Sequence, residues 1–317
     1  MTTLVSDKVG CVSLSPAELI IRSRASESRC DVASALADLR LAASLGGVPR
    51  RIQWHICALE ARLNALAVLP SLAAPRHNIV DVCAEVTVSL REICTSTTGG
   101  RPWPASLALA HWLTSPRGRG AEHLSKCKEV DGTILELGSG LGLVGLAAAT
   151  AAPNCTVTLT DREPEILDNL CDEVELNGHT LVLPETQDVA TPHGERPSDS
   201  AKVHVAPLDY VSLSRTHPEK VTTPFDLVVG ADIIFEQEHA ALGNVFPSLL
   251  RPGGVGVVCA QNGRLGLHSF VENCRGSGMV VELVPFTGDL LELAREESDT
   301  DDLCESREHS LYIVRHS

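Results

Sequence analysis

The stretch from Thr133 to Gly145, with the sequence TILELGSGLGLVG, constrains the fold of this chain more than any other. An apolar run containing Glu136 leads directly into glycines at 138, 140 and 142, and an alanine-rich run follows. Glycine permits a sharp turn and a close backbone approach to a ligand, while the start of a helix offers free N–H groups. The stretch therefore predicts a strand, a nucleotide-cofactor loop and a helix.

The position of Glu136 favours one class of cofactor. Gly140-x-Gly142-x-x-Gly145 by itself also fits a dinucleotide-binding loop. Glu136, however, stands two residues before Gly138, where its carboxylate can reach a cationic group rather than a pyrophosphate. Glu-x-Gly-x-Gly-x-Gly is the pattern of methyltransferases that use S-adenosylmethionine. We expect the loop to hold this cofactor through Glu136, Gly138, Ser139, Gly140 and Gly142.

Composition bears on the number of domains, the location and the metal content that we expect for this chain. Its 317 residues are 44% apolar and 21% charged, which suits one large domain or two smaller ones. The start lacks the pattern of a secretory signal, and the longest apolar run, 141–152, is too short to span a bilayer. The eleven cysteines form no Cys-x-x-Cys pair, which indicates free thiols rather than a zinc site or disulfides. We expect a cytoplasmic monomer without membrane contact or metal.

Charge bears on the choice of partner. The net charge of −15 argues against nucleic acid, because phosphates are attracted by a basic surface. Residues 289–308 contain nine acids and two arginines, which is typical of a solvated loop or, alternatively, of a contact for a basic partner. Residues 184–201 contain Pro, Gly, Ser and charges and predict an exposed loop.

The order of elements predicts an α/β fold. From residue 133 onward, strand patterns alternate with helical ones, which indicates a parallel sheet with helices on both faces. The count matches a seven-stranded, Rossmann-like methyltransferase sheet. The predicted strands are Thr133–Leu137, Thr156–Thr160, Val203–Pro207, Asp226–Ala231, Val255–Ala260, Met279–Val284 and Ser310–Arg315.

The first 95 residues have a different pattern. Residues 16–69 show helical periodicity, interrupted at 46–49, whereas residues 79–90 alternate apolar and polar side chains as a strand or hairpin does. We therefore expect an N-terminal, mainly helical extension over 1–95 and a class I methyltransferase domain over 96–317.

The residues that follow the predicted strands supply candidate cofactor contacts, since open α/β sheets bind ligands at the carboxyl ends of their strands. Asp161, 25 positions after Glu136, suits the two ribose hydroxyls; the alternative is a cap on the next helix. Asp209 can accept from the adenine amino group while Tyr210 stacks on the ring, the alternative being an ordinary turn.

Four further residues are candidates for the substrate side of the site or for contacts with the cofactor. Asp232 and Phe235 follow the fourth strand where a substrate meets the methyl group, although Asp232 can also be a polar cap on the strand end. Ala231 is small enough for its backbone to lie against the cofactor. Trp103 precedes a predicted helix and is either core packing or a lid over the cofactor.

Together these motifs resemble the seven-stranded protein-lysine methyltransferases, and within them the enzymes that act on eukaryotic elongation factor 2. The resemblance covers about residues 86 to 317 and rests on the segments Val86–Glu92, Thr97–Ala110, Leu135–Leu146, Asn177–Gly178 and Leu208–Tyr210. It implies a lysine of a protein, such as elongation factor 2, as substrate. It also implies that S-adenosylmethionine is bound by Trp103, Gly138, Ser139, Gly140, Asp161, Tyr210 and Ala231.

One departure from that family leaves rival hypotheses open. The family's substrate motif is Asp-x-x-Tyr, whereas this chain has Asp232-Ile-Ile-Phe235 and lacks the phenolic hydroxyl. The phenyl ring still offers an apolar wall and a π face to a lysine side chain. The alternatives are a catalytically silent cofactor-binding module, an NAD-dependent dehydrogenase, whose hydride-handling residues we do not find, and methylation of a small molecule, histidine or nucleic acid.

Overall fold

A computed structural model describes residues 15–28, 32–46, 48–68, 76–93, 95, 98–116, 119–183, 200–216, 224–286 and 308–317. Most of the predicted loop 184–201 and of the acidic segment 289–308 lies outside these residues. Within the described ranges, no helix combines the length and the apolar character that crossing a membrane requires.

Three helices open the described chain, as the periodicity of residues 16–69 predicts. They are α1 (Pro16–Ser28), α2 (Val32–Ser44) and α3 (Arg50–Val68). Leu36 and Leu39 of α2 pack with Leu59 of α3 in a small apolar cluster. The break between α2 and α3 coincides with Gly46, which has a φ of +82° that glycine adopts without strain.

A β-hairpin follows, formed by β1 (Arg76–Cys83) and β2 (Val86–Glu92) in antiparallel pairing. Val80 lies opposite Val88. Both are buried together with Leu90, whereas Ile79 on the other face is 75% exposed. The predicted alternation of residues 79–90 is therefore confirmed as a hairpin with one buried face.

Eight strands form the main sheet in the part of the chain that the structure describes. They are β3 (Thr133–Leu137), β4 (Thr156–Asp161), β5 (Thr180–Val182), β6 (Lys202–Pro207), β7 (Phe225–Ala231), β8 (Leu250–Gln261), β9 (Met279–Pro285) and β10 (His309–His316). Their order is β5-β6-β4-β3-β7-β8-β10-β9, with only β10 running antiparallel to its neighbours. The predicted α/β class and Rossmann-like methyltransferase sheet are confirmed.

The eighth strand, β5, is the one that the sequence does not predict. It has three residues and pairs only with β6, at the edge of the sheet. Three residues are too few to show the alternation or apolar run that marks a strand. The other seven strands agree with the prediction except at their ends, where β8 begins five residues early.

Helices cover both faces of this sheet. They are α4 (Pro104–Thr114), α5 (Ala121–Glu129), α6 (Leu143–Ala151), α7 (Pro164–Leu176), α8 (Tyr210–Thr216), a 3-10 helix (Gln237–Asn244), α9 (Phe246–Leu249) and α10 (Leu267–Gly276). Ile134 of β3 packs in one core cluster with residues of α4, α6 and α7. Leu135 packs in a second cluster with the 3-10 helix, α9 and α10. Consecutive strand residues thus reach opposite faces.

The N-terminal elements dock against α7 and join the first of these clusters. Arg51 of α3 pairs with Asp172 at 2.6 Å and with Glu175 at 2.8 Å. Trp54 of α3 and Val88 of β2 belong to the same cluster as the sheet residues. The proposed domain boundary at residue 95 stays a prediction, but the hairpin before it contributes to the core after it.

Candidate active site

A cleft opens at the carboxyl ends of β3, β4, β6 and β7, where an open α/β sheet binds its ligands. All but one of the residues predicted for the cofactor or the substrate line this cleft. They are Trp103, Glu136, Gly138, Ser139, Gly140, Asp161, Asp209, Tyr210, Ala231, Asp232 and Phe235. The structure therefore brings together residues that are spread over more than 130 positions of the sequence.

The glycine loop turns directly after β3. Gly138 has a φ of +57°, and a Cβ placed there would lie 2.9 Å from Cγ2 of Ile233. Ser139 fastens the loop to β4, because its N–H donates to the Thr160 carbonyl at 2.8 Å and its Oγ accepts from the Thr160 N–H at 2.9 Å. The backbone of the loop is thus fixed against the cleft.

Gly142 is the predicted cofactor residue that does not line the cleft. It is the left-handed residue that starts α6, with a φ of +77°. A Cβ there would lie 2.8 Å from Leu170 Cδ2, inside the core. Its position assigns Gly142 to the turn and the helix start rather than to contact with a ligand.

Glu136 lies at the floor of the cleft and is only 2% exposed. Its Oε2 accepts a hydrogen bond from the Gly145 N–H, in the first turn of α6, at 3.0 Å. Burial raises the pKa of Glu136 to about 8, although the bond from Gly145 works in the opposite direction. The carboxyl group meets a helix N-terminus, which favours its ionised form, but burial outweighs this effect.

Asp161, the last residue of β4, connects that strand to the glycine loop. Its Oδ2 accepts from the Gly140 N–H at 3.1 Å, and its Oδ1 accepts from the N–H groups of Arg162 at 2.8 Å and Glu163 at 3.2 Å. Burial raises the pKa of Asp161 even though these bonds lower it. Glu163, not Asp161, occupies the N-cap position of α7, and it makes no side-chain capping hydrogen bond.

Asp209 and Tyr210 stand where β6 leads into α8. Asp209 caps that helix, because its Oδ1 accepts from the N–H groups of Val211 and Ser212 at 3.0 and 3.1 Å. Burial works to raise the pKa of Asp209, but the bonds from Ser212 and Val211 outweigh it and the pKa falls. The Tyr210 hydroxyl donates to the Ile233 carbonyl at 2.7 Å, which holds its ring at the cleft wall.

Trp103 precedes α4 and also lines the cleft. Its Nε1 donates to the Thr98 carbonyl at 3.0 Å, and the Arg101 guanidinium lies 5.4 Å from its ring centre. The half-buried ring thus lines the cleft and is held by residues of its own loop. Its contact with a cofactor stays a prediction.

Asp232 follows β7 in a constrained conformation. Its φ is +53°, which is uncommon for a residue other than glycine, and its N–H donates to the Cys259 carbonyl of β8 at 2.7 Å. The Arg264 guanidinium binds both carboxylate oxygens, with Nε 3.1 Å from Oδ1 and Nη2 on Oδ2. The side chain of Asp232 is 10% exposed.

Phe235 and His239 both line the cleft and are in contact, with ring centres 4.2 Å apart and ring planes tilted by 55°. Phe235 is 39% exposed, whereas His239 is 3% exposed and its pKa is lowered by burial. The Nδ1 of His239 accepts from the Glu236 N–H at 3.1 Å. The neutral ring therefore carries its proton on Nε2 and offers no lone pair for use as a base.

A comparison with known protein families identifies the family of this chain. The model of the family described as "Lysine methyltransferase" matches residues 83–275, which is more than half of the chain. This chain belongs to the lysine methyltransferase family. S-adenosylmethionine is the cofactor of this family.

Curated relatives agree with that family. Protein-lysine N-methyltransferase EEF2KMT of Mus musculus is 30% identical over 178 residues, and the match covers 56% of this chain and 47% of that protein. EEF2KMT of Homo sapiens is 29% identical, with 56% and 48% covered. Protein N-lysine methyltransferase METTL21A of Danio rerio is 31% identical over 37% of this chain and 41% of that protein. The chain spans about half the length of the curated relatives it matches.

Solved structures are more distant. A Thermus thermophilus 16S rRNA methyltransferase with AdoMet and guanosine has a TM-score of 0.45 and 15% identity, and the match covers 77% of this chain and 51% of that chain. A TehB-like S-adenosylmethionine-dependent methyltransferase from Corynebacterium glutamicum has a TM-score of 0.41 and 15% identity, with 66% and 88% covered. At this level of similarity, these structures do not extend the description of the fold, which rests on the strand order of the sheet.

The cleft fits the cofactor of the family in its chemistry. A carboxylate stands at the end of β4, where ribose hydroxyls can donate to it, and two half-buried aromatic rings, Trp103 and Tyr210, flank the space. Next to them, Gly138 exposes backbone without a side chain. Acidic acceptors, aromatic faces and open backbone are what a positively charged nucleoside requires.

Among the cleft residues that were not predicted from the sequence, Arg264 and His239 are in contact with the predicted substrate residues Asp232 and Phe235. Arg264 lies in the turn after β8, just as Asp232 lies directly after β7. The rule that ligand-binding residues follow the carboxyl ends of strands would therefore have predicted Arg264 if it had also been applied to β8. His239 carries no such signal, because it lies inside a 3-10 helix that only the tertiary structure places at the cleft.

Proposed function

We propose that this chain is an S-adenosylmethionine-dependent protein-lysine N-methyltransferase. One observation carries the proposal: Asp232 and Phe235 line the same cleft as the glycine loop at Gly138. A carboxylate that attracts an amine and an apolar ring that packs on its alkyl stem thus adjoin the place for the cofactor. Membership of the lysine methyltransferase family supports this reading.

The cofactor contacts are part of the proposal. Asp161 accepts from the ribose hydroxyls, Asp209 accepts from the adenine amino group, and Tyr210 stacks on the adenine. Glu136 faces the cationic amino group. The remaining contacts come from Trp103, Gly138, Ser139, Gly140 and Ala231. Each carboxylate oxygen has more than one lone pair, so the bonds that fix Asp161 and Asp209 leave acceptor capacity for the ligand.

Catalysis in this proposal consists mostly of holding a neutral amine in line with the transferred methyl group. The cofactor supplies a methyl group on a sulfonium; the nitrogen–carbon bond forms as the sulfur–carbon bond breaks, and sulfur leaves as a neutral thioether. A free lysine has a pKa of about 10.4 and is mostly protonated at neutral pH. Asp232 attracts and orients the ammonium, and burial against Phe235 and Trp103 favours loss of its proton to water.

Substitution of Asp232 tests this role. In Asp232→Asn, we expect single-turnover methylation of a protein substrate to fall by at least about tenfold, because the charge that orients the amine is lost. The matched control is Asp226→Asn, which changes the carboxylate that pairs with Arg251 at 2.9 Å, at the opposite end of β7. Wild-type single-turnover rates in Asp232→Asn would exclude the role of the carboxylate.

Phe235 gives the competing hypothesis its basis, because the chain lacks the tyrosine of the family's motif. The competing hypothesis is that the chain binds the cofactor without transferring the methyl group and serves as an interaction module. The variant Phe235→Tyr separates the two ideas. Activity in the wild type that changes little in this variant supports the enzyme; tight cofactor binding with no methylation in the wild type supports the module.

Elongation factor 2 is the substrate that we propose, since relatives at about 30% identity are named for it. We also propose that the chain works in the cytoplasm as a monomer. All seven cysteines in the described ranges are free, as a reducing compartment allows.

The proposed substrate is tested directly. Purified elongation factor 2 is incubated with labelled S-adenosylmethionine and either wild type or Asp232→Ala. Label in the factor with wild type alone supports this substrate. If the wild type labels proteins of a cell extract in a parallel reaction but leaves the purified factor unlabelled, this substrate is excluded.

A further inference from the structure

The contact between Arg264 and Asp232 joins the ends of two neighbouring strands. Asp232 has two contacts with this neighbour: its N–H donates to the Cys259 carbonyl of β8 at 2.7 Å, and its carboxylate binds the guanidinium of Arg264 in the turn after β8. Arg264 binds both oxygens of the carboxylate, in a fork geometry that fixes the plane and direction of the group. Both side chains line the cleft, and Arg264 is 26% exposed.

We propose that Arg264 is a positioning residue that fixes the Asp232 carboxylate and offsets its negative charge where the methyl group is transferred, so that a bound lysine gives up its proton more readily. This inference rests on the proposed function, because it concerns the state of the amine in the same site.

The physical reason is a conflict between attraction and reactivity. A carboxylate within about 4–6 Å of an ammonium favours the charged form, whereas methyl transfer needs the neutral amine. A guanidinium stays charged at every accessible pH, so the Arg264–Asp232 pair has no net charge. Each carboxylate oxygen still has a lone pair for an N–H of the amine. The pair therefore orients the nucleophile without holding it as a cation.

The other titratable groups around the pair leave Arg264 as the cation in contact with Asp232. Burial raises the pKa of the Cys259 thiol on β8 and of the Tyr210 phenol on α8, so both are neutral. Burial lowers the pKa of His239 on the 3-10 helix. The remaining ionisable groups that line the cleft are Arg101, Glu136, Asp161, Arg162, Glu163 and Asp209, and burial raises the pKa of Glu136 to about 8.

A pair of ligands tests the inference without any protein substrate. Sinefungin carries an amine-bearing carbon in place of the sulfonium centre, whereas S-adenosylhomocysteine has a neutral sulfur there. The ratio of their affinities, measured by calorimetry at pH 8, reports how strongly the site favours an ammonium at the transfer position. A residue that only supports the fold changes both affinities together and leaves the ratio unmoved.

Arg264→Gln removes the offsetting charge, and we expect it to raise the preference for sinefungin about tenfold, as one pKa unit requires. Asp232→Asn leaves Arg264 unbalanced and is expected to lower the preference below that of the wild type. The matched control is Arg251→Gln, which breaks the other Arg–Asp pair between β7 and β8, at their far ends. It is expected to keep the wild-type ratio.

The inference is overturned if Arg264→Gln leaves the ratio where Arg251→Gln does, or if Asp232→Asn fails to lower it. The second variant keeps the test decisive should Arg264→Gln not fold. If the wild type binds neither ligand, the proposed function itself fails and the inference falls with it. Binding of both ligands with unmoved ratios overturns only the role of Arg264.

Discussion

Gly138 is the residue of the glycine loop at which an added side-chain carbon would most directly disturb the cleft. The variant Gly138→Ala strains a backbone at φ +57° and places Cβ 2.9 Å from Ile233. We expect a stability loss of about 1–2 kcal/mol from the conformation alone. We also expect affinity for S-adenosylmethionine to fall at least about tenfold, a change of 1.4 kcal/mol, because the loop must shift.

Gly178→Ala is the control for this prediction. Its φ is +74°, and nothing lies within 4 Å of an added Cβ. It should lose similar stability and keep its affinity for the cofactor, both measured by calorimetry. Equal affinity in the two variants would show that the loop at Gly138 does not contact the cofactor.

Glu136 gives the cleft a pH dependence that can be measured without a ligand. Burial raises its pKa from 4.5 to about 8, so between these values the folded chain holds a proton that the unfolded chain releases. The contribution of Glu136 to stability therefore falls as pH rises, by up to about 1.4 kcal/mol per unit. Glu136→Gln should flatten that fall in urea unfolding between pH 5.5 and 8. The exposed Glu129→Gln serves as control, and an unchanged slope in Glu136→Gln would contradict the assignment.

The chemistry of the strand ends could be predicted from the sequence because each such residue follows a recognisable apolar run. Asp161, Asp209 and Asp232 were found in this way, and all three line the cleft. Their hydrogen-bond partners could not be predicted. Arg264 lies 32 positions beyond Asp232, and only the pairing of β7 with β8 brings the two together.

Asn177, after α7, binds the hairpin to the domain of the main sheet. Its side-chain amide forms the two hydrogen bonds that the backbone of a neighbouring strand would form. Its Oδ1 accepts from the Ser89 N–H and its Nδ2 donates to the Ser89 carbonyl, both at 2.8 Å. Asn177→Ala leaves both half-buried backbone groups of β2 without this partner, which should cost about 2 kcal/mol. Urea unfolding measures the loss, and hydrogen exchange should accelerate at the Ser89 amide.

Asn154→Ala is the matched control for the hairpin contact. Asn154 also donates through Nδ2, to the Lys128 carbonyl and to Asp131, but at an exposed site where water replaces the bonds. We expect a loss below about 1 kcal/mol. If the two asparagine variants unfold at the same urea concentration, the hairpin is not held by Asn177.

Strands with apolar runs were predictable because burial on both faces of a parallel sheet leaves an unbroken signal in the sequence. β3 illustrates this, since Ile134, Leu135 and Leu137 are all buried. β5 was missed because three edge residues pack too little surface to need such a run. The docking of α3 on α7 was also not predictable, since Arg51 meets partners more than 120 positions away.

The core of the whole molecule extends across the boundary predicted at residue 95. Five aliphatic side chains of the hairpin join the cluster that covers the sheet: Val80, Val82, Val86, Val88 and Leu90. A chain that begins at residue 96 should therefore be less stable than one that begins at residue 76, by on the order of 5 kcal/mol. Thermal unfolding of both truncated chains measures the difference. Equal melting temperatures would support a domain boundary at 95.

Identification of the modified amino acid tests the central claim most directly. The purified chain is incubated with labelled S-adenosylmethionine and an extract from cells that lack it, beside Asp232→Ala, and the labelled protein is hydrolysed to amino acids. We predict that the label is recovered as N-methylated lysine with the wild type and is lost with the variant. Label in another amino acid, or none in protein although the cofactor binds, would contradict the assignment as a protein-lysine methyltransferase.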